Sequence, residues 1–208
     1  MNLLTMTDLN PQQLEAASHV EGPLLVLAGA GSGKTRVVTR RIAKLIELGI
    51  LPSDILAVTF TNKAAEEMKS RIRALKNAQV LACTFHSLGA RMLRESAHLL
   101  GYKRDFVIYD QEDSEKLIKA CMQQLSLGDD KGLLRTFKGQ ISAVKNSLMP
   151  EGEAAALHGQ TFAKMFALYQ AKLKEYNALD FDDLLYLPVQ LLQGQVEARG
   201  MYQARWHF

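Results

Sequence analysis

Ala28-Gly29-Ala30-Gly31-Ser32-Gly33-Lys34-Thr35 follows directly on the apolar run Pro23-Leu24-Leu25-Val26-Leu27. Glycines at alternate positions let bare backbone N–H groups approach an anion closely. A helix is expected to start where the turn ends, with its partial positive charge facing the same anion. Such a loop suits a nucleoside triphosphate. Lys34 is placed to reach the β- and γ-phosphates and the Thr35 hydroxyl to ligate Mg²⁺, which makes these two the candidate catalytic groups. The strict pattern has glycine where this chain has Ala28. The change is mild, because the tight curvature is expected on Gly29, Gly31 and Gly33.

Two further segments carry groups able to hold a nucleic acid. Thr59-Phe60-Thr61-Asn62-Lys63-Ala64-Ala65 and Thr84-Phe85-His86-Ser87-Leu88 each end an apolar run. Each supplies an aromatic ring, small hydroxyls and a basic or imidazole group, a set that stacks on bases and bonds a single-stranded backbone. Plainer roles fit the same residues: Thr61 or Asn62 as a helix cap, Phe60 and Phe85 as core, His86 as a helix-start residue.

The elements that position these groups alternate. Asn10 caps a helix that runs from Pro11 to about His19. Next come a strand over 24–28, a helix from 34 to about 48, a strand over 55–60, a helix from 63 to about 75 and a strand over 80–85. Near-continuous apolar strands with helices between them predict a parallel sheet covered on both faces, with ligands beyond the carboxyl ends of its strands. After Phe85 the pattern becomes helical, over about 86–100, 110–125, 133–147 and 161–176, with Val107-Ile108-Tyr109 strand-like. A helix over 181–192 is expected to lead back, and Gln203 to Phe208 reads as the entry to another strand.

The net charge of the 208 residues is +3, unevenly spread. From Arg36 to Arg104 there are thirteen Lys/Arg against five Asp/Glu. A basic stretch beside a nucleotide loop favours a polyanionic partner, although amphipathic helices also show such residues to water. Cys83 and Cys121 lack metal-ligand spacing and read as buried thiols of a reducing compartment. No apolar stretch is long enough to span a membrane, so a cytoplasmic protein is expected.

Taken together, Leu9-Asn10-Pro11-Gln12-Gln13, the Ala28–Thr35 loop with Arg36, the segments Thr59–Ala65 and Thr84–Leu88, and Leu179-Asp180-Phe181-Asp182-Asp183-Leu184-Leu185 resemble the superfamily 1 DNA helicases of the Rep/UvrD/PcrA family, nearest its Rep branch. The resemblance spans nearly the whole chain. It implies an α/β P-loop NTPase (RecA-like) fold, a parallel sheet with an inserted, mostly helical subdomain. Residues 1–87 would begin ATP-binding domain 1A, 88–178 would form helical subdomain 1B, and 179–208 would return to 1A, stopping before the Walker B strand. It also implies an ATP- and Mg²⁺-dependent motor moving 3′→5′ on single-stranded DNA, acting at DNA junctions in replication or repair.

By the same resemblance Gln13 would read adenine, Arg36 would pack on the base, and Ala28, Gly29, Ala30, Gly31, Ser32, Gly33, Lys34 and Thr35 would cradle the phosphates, with Thr35 on the metal. Phe60, Thr61, Asn62, Lys63, Thr84 and His86 would line the DNA path. Family members next carry an Asp-Glu-x-x-Asp strand and a second RecA-like domain with arginine fingers, and neither occurs in these residues. Asp182 and Asp183 read as the acidic first turn of a helix rather than as substitutes. The expectation is therefore an N-terminal part of a helicase, inactive as an ATPase by itself. The alternative is a nucleotide-dependent DNA-binding module that does not hydrolyse ATP.

Overall fold

Val37, Ile42, Ala43 and Leu45 recur at helical spacing after the glycine turn, and in the computed structural model of the chain they form the buried face of helix α2 (Lys34–Glu47). The structure describes residues 8–208. These divide into two units, residues 8–85 with 200–208, and His86–Arg199.

In the first unit α1 (Pro11–Ser18) opens on Asn10, whose Oδ1 accepts from the Gln13 N–H while Gln13 Oε1 accepts from the Asn10 N–H. This reciprocal box satisfies two amide donors that a helix start otherwise leaves bare. Strands β1 (Leu56–Thr59) and β2 (Leu81–Thr84) pair in parallel, from Leu56 opposite Leu81 to Thr59 opposite Thr84, and α3 (Asn62–Lys76) makes the crossover. Ile42 and Leu45 of α2, Ile55 and Ala57, Met68 and Ile72 of α3, and Val80 and Ala82 share one core. Ile72 is fully buried, and burying a side chain of this size contributes about 1.5–3 kcal/mol.

The expected strand over 24–28 does not form. Residues 23–28 belong to no helix or strand, and Leu25 and Leu27 stand 82% and 87% exposed. A strand exists through its ladder of hydrogen bonds. β1 pairs with β2, and its Leu56 N–H is taken by the Phe208 carbonyl at 2.8 Å, while the His207 and Phe208 N–H groups both donate to the Asp54 carbonyl. Residues 23–28 join neither edge of this pair, so the sheet among the described residues has two strands where the sequence pattern predicts three. The final residues differ as well. Helix α10 spans Val196–Arg205, with Ala198 and Tyr202 buried one helical turn apart, and of the residues after it Phe208 bonds β1.

The second unit is mostly helical. Helix α4 (Phe85–Ser96) passes through a 3₁₀ turn, Ala97–Leu100, to β3 (Val107–Ile108). Helices α5 (Gln111–Gln124), α6 (Lys131–Asn146), α7 (Glu151–His158) and α8 (Gln160–Glu175) follow, then β4 (Ala178–Leu179) and α9 (Asp183–Gly194). β3 and β4 pair in parallel. The sequence pattern gave no sign of α7, which lacks an apolar stripe, nor of the two-residue β4. Leu117, Ile118, Phe137, Ile141, Phe162 and Phe166 join α5, α6 and α8 in one core.

Leu179, Leu184 and Leu187 pack in a second cluster with Leu93, Ala97 and Phe106. Residues from 179 to 199 therefore pack in this compact unit, which runs to Arg199. Gly89 on α4 makes this packing feasible. A Cβ there would sit 1.8 Å from the Leu184 carbonyl oxygen and 3.2 Å from the Pro188 ring. Pro188 has no N–H to give that carbonyl, and the bare glycine backbone fits against the resulting gap in α9.

Candidate functional site

The glycine loop is built as its residue types require at two positions. Gly31 and Gly33 adopt φ of +75° and +83°, values open to glycine at little cost. Gly29, expected to share the curvature, does not take a positive φ. Gly33 is the left-handed cap of α2, so the N–H groups of the first turn of α2 point back towards the loop.

Lys34 folds over its own loop. Its Nζ donates to the Gly29 carbonyl at 2.7 Å and to the Ala28 carbonyl at 3.2 Å. The Ser32 hydroxyl donates to the same Gly29 carbonyl, and the Gln13 Nε2 donates to the Ser32 carbonyl at 2.9 Å. Gln13 thus links α1 to the loop, with its Oε1 already held by the Asn10 N–H. The Thr35 hydroxyl makes no hydrogen bond among the described residues, and only the Thr35 carbonyl is used, by Thr39. Arg36 reaches the Asp8 carbonyl at a long 3.5 Å. The Arg40 guanidinium bonds the Asp8 carboxylate at 2.9 Å and holds its pKa below the ordinary range.

These groups line a cavity of about 300 Å³ between α1 and the loop, with Gln13, Gly29, Ser32 and Lys34 on its wall. A Cβ built on Gly29 or Gly31 meets nothing within 4 Å. The space over the loop is thus open to a ligand. The Lys34 ammonium lies on the cavity wall and the first turn of α2 begins beside it, groups that suit phosphate oxygens, and Thr35 with its unbonded hydroxyl is the next residue of that turn. The residues fit a nucleoside triphosphate.

At the end of β1, Phe60 is 88% exposed, which removes the core reading for this ring. It lies 5.7 Å from Phe85, itself about half exposed, with the rings tilted by 48°. The helix-cap reading holds for Thr61, whose Oγ1 accepts from the Ala64 N–H at 3.1 Å. Asn62 and Lys63 begin α3 and face solvent, and Lys63 forms no ion pair among the described residues. Thr84 is buried, 7% exposed, so little of it can meet a ligand.

In the second unit His86 stacks on Phe181 with ring centroids 4.1 Å apart and planes 20° from parallel. Phe181 is 59% exposed. The sequence pattern starts a helix at this residue, and its place between Asp180 and Asp182, two charged neighbours that favour the surface, is the signal for an exposed ring.

Beneath Phe181 lies a buried ionic cluster that the sequence did not reveal. Lys145 on α6 is 1% exposed, with its Nζ 2.6 Å from Asp180 Oδ2 and 2.8 Å from Asp183 Oδ1. The Tyr169 hydroxyl donates to Asp180 at 2.9 Å. Asp180 and Asp183 also cap each other's backbone N–H at 3.0 and 2.9 Å. These are the acidic helix start the sequence suggested, and the carboxylates serve a lysine inside the fold. Burial disfavours charge on Lys145, but the Asp183 and Asp180 carboxylates outweigh it and raise its pKa.

One ammonium between two carboxylates leaves a buried negative charge. Burial, which outweighs the attraction of Lys145, and the Asp180 charge push the Asp183 carboxyl from 3.8 up to about 7. The folded chain then holds a proton that the unfolded chain releases near pH 4, so this stability is full below that pH and is lost as pH rises through about 7. We expect the melting temperature to fall between about pH 4 and pH 7, and Asp183→Asn to flatten that slope. Equal slopes in both proteins, measured by circular dichroism, would contradict this.

Comparison with known proteins decides the family. The UvrD/REP helicase N-terminal domain matches residues 9–208. The chain belongs to the UvrD/REP helicase N-terminal domain family. It is 40% identical to an ATP-dependent DNA helicase PcrA of Leuconostoc citreum, with all of this chain and 29% of that protein aligned. The PcrA helicases of Staphylococcus aureus (strain Mu50) and Staphylococcus epidermidis are 41% and 43% identical, again over the whole chain and 30% of each relative. The chain thus spans about three-tenths of the length of these relatives. All three are PcrA helicases, so the resemblance is shown for the UvrD/REP family and not for its Rep branch in particular. No helix among the described residues is long and apolar enough to cross a membrane. The chain is mixed α/β, rich in helix, with two small parallel sheets.

Proposed function

We propose that this chain is the ATP- and single-strand-binding N-terminal part of a 3′→5′ DNA helicase. The observation that carries the reading is the glycine loop, with Gly31 and Gly33 in left-handed conformation, Lys34 and Thr35 at the start of α2, and open space above it. On this reading residues 1–87 begin RecA-like domain 1A, residues 88–178 form helical subdomain 1B, and residues 179–208 return to 1A. The loop Ala28–Thr35 holds the phosphates, Lys34 neutralises them, and Thr35 ligates Mg²⁺. Gln13 and Arg36 flank the adenine. ATP hydrolysis supplies the free energy for movement in the intact helicase, and this chain's residues bind and orient.

In this account Phe60, Thr61, Asn62, Lys63, Thr84 and His86 lie along the single strand. Exposure supports stacking roles for Phe60 and for Phe181, which carries half-buried His86 on one face, since a ring held open to solvent has a face free for a base. Thr84 is left only a supporting part by its burial, and Thr61 acts through its cap, which sets the first turn of α3. DNA junctions in replication or repair, in the cytoplasm, are the expected setting. Calorimetric titration with a non-hydrolysable ATP analogue and Mg²⁺ tests the nucleotide half of the proposal. Saturable, magnesium-dependent binding supports it, and no heat at millimolar analogue would overturn it.

A further inference from the structure

Phe181 is exposed, yet both of its neighbours in sequence are tied to adjacent residues at the end of one helix. Asp180 bonds the Lys145 ammonium at 2.6 Å, and Asp182 Oδ1 accepts from Asn146 Nδ2 at 3.0 Å. The Phe181 carbonyl accepts from the Leu184 N–H, and the Leu179 carbonyl just before the turn accepts from the Tyr109 N–H at 2.8 Å. A ring on a free turn would lose its rotamer and its stacking partner by ordinary side-chain motion. This one stands on a turn fixed on either side, with its face 4.1 Å from the His86 ring.

We propose that Lys145 and Asn146 are positioning residues for single-strand binding: the consecutive pair at the end of α6 clamps Asp180 and Asp182, and so holds the Phe181–His86 stack in place for a base. This rests on the reading of the chain as a single-strand binder and adds to it two residues of the helical unit that touch no DNA themselves. The two anchors differ in kind. Lys145 is buried and its contacts belong to the core, whereas Asn146 is exposed and also bonds Ser142, so it can be changed without opening the fold.

The test therefore uses Asn146→Ala in the full chain, alone and combined with Phe181→Ala, with labelled oligo-dT as the probe. Asn146→Ala should weaken oligo-dT binding by about three- to tenfold, the loss expected for one ordinary hydrogen bond, with the melting temperature nearly unchanged. In the Phe181→Ala background the same change should have no further effect, which a merely structural role would not produce. In the absence of DNA, the His86 ring proton resonances, displaced in the parent by the Phe181 ring current, should move towards free-histidine positions in Asn146→Ala. The inference alone is overturned if Phe181→Ala weakens binding while Asn146→Ala leaves both affinity and His86 resonances unchanged. If Phe181→Ala itself leaves affinity unchanged, the stack is no part of the binding site, and the inference falls together with that part of the proposed function.

Discussion

Lys34→Ala is expected to lower the affinity for an ATP analogue with Mg²⁺ by about 10- to 150-fold. On the proposed reading the Lys34 ammonium is the loop's counter-charge to the phosphates. Hydrogen bonds to charged groups are worth about 1.5–3 kcal/mol, and each 1.4 kcal/mol is about tenfold. In the structure Lys34 donates to the Gly29 and Ala28 carbonyls of an exposed loop. Those carbonyls can turn to water, so the melting temperature should move little, within the roughly ±0.5 kcal/mol usual for surface changes. The pair of measurements separates a binding role from a structural one. Equal affinity in parent and variant would show that the glycine turn holds no phosphate. An early melt with affinity lost in proportion would make Lys34 a structural lysine.

Phe60→Ala should weaken oligo-dT binding by about 1–3 kcal/mol, the usual worth of one base–aromatic contact. The ring is 88% exposed and its nearest aromatic neighbour is Phe85 at 5.7 Å, so truncation removes little buried area. Stability should therefore hold while affinity falls. Fluorescence anisotropy run beside a thermal melt reads both quantities on the same protein. A variant that melts several degrees early, yet binds in proportion to its folded fraction, would assign Phe60 a stabilising contact with Phe85 rather than a place on the DNA path. A variant with unchanged affinity and unchanged stability would remove Phe60 from the DNA path.

What could be read from the sequence was what is local. The glycine loop, the reciprocal Asn10–Gln13 cap, α2 and α3 depend on residues within a few positions of one another, and their spacing announces them. Pairing between distant segments was not legible. The apolar run 24–27 looks like a buried strand by composition, but a strand also needs a ladder of hydrogen bonds to a partner, and this run pairs with no described segment. Lys145 reads as an ordinary solvated lysine on an amphipathic helix. Its partner Asp180 lies 35 positions on, and only the packing of α6 against the start of α9 makes it a core residue. Phe60 and Phe85 show the reverse case, in which sequence left core and surface roles open and exposure separated them.

The central claim, that this chain binds single-stranded DNA through stacking and backbone contacts, is met most directly by one titration. Labelled oligo-dT and a duplex of the same length are each titrated with the 208-residue chain by fluorescence anisotropy, at low and at moderate salt. The account predicts tighter binding to the single strand, and an affinity that falls steeply as salt rises, because phosphate contacts release counterions. Duplex binding equal to or tighter than single-strand binding would contradict it.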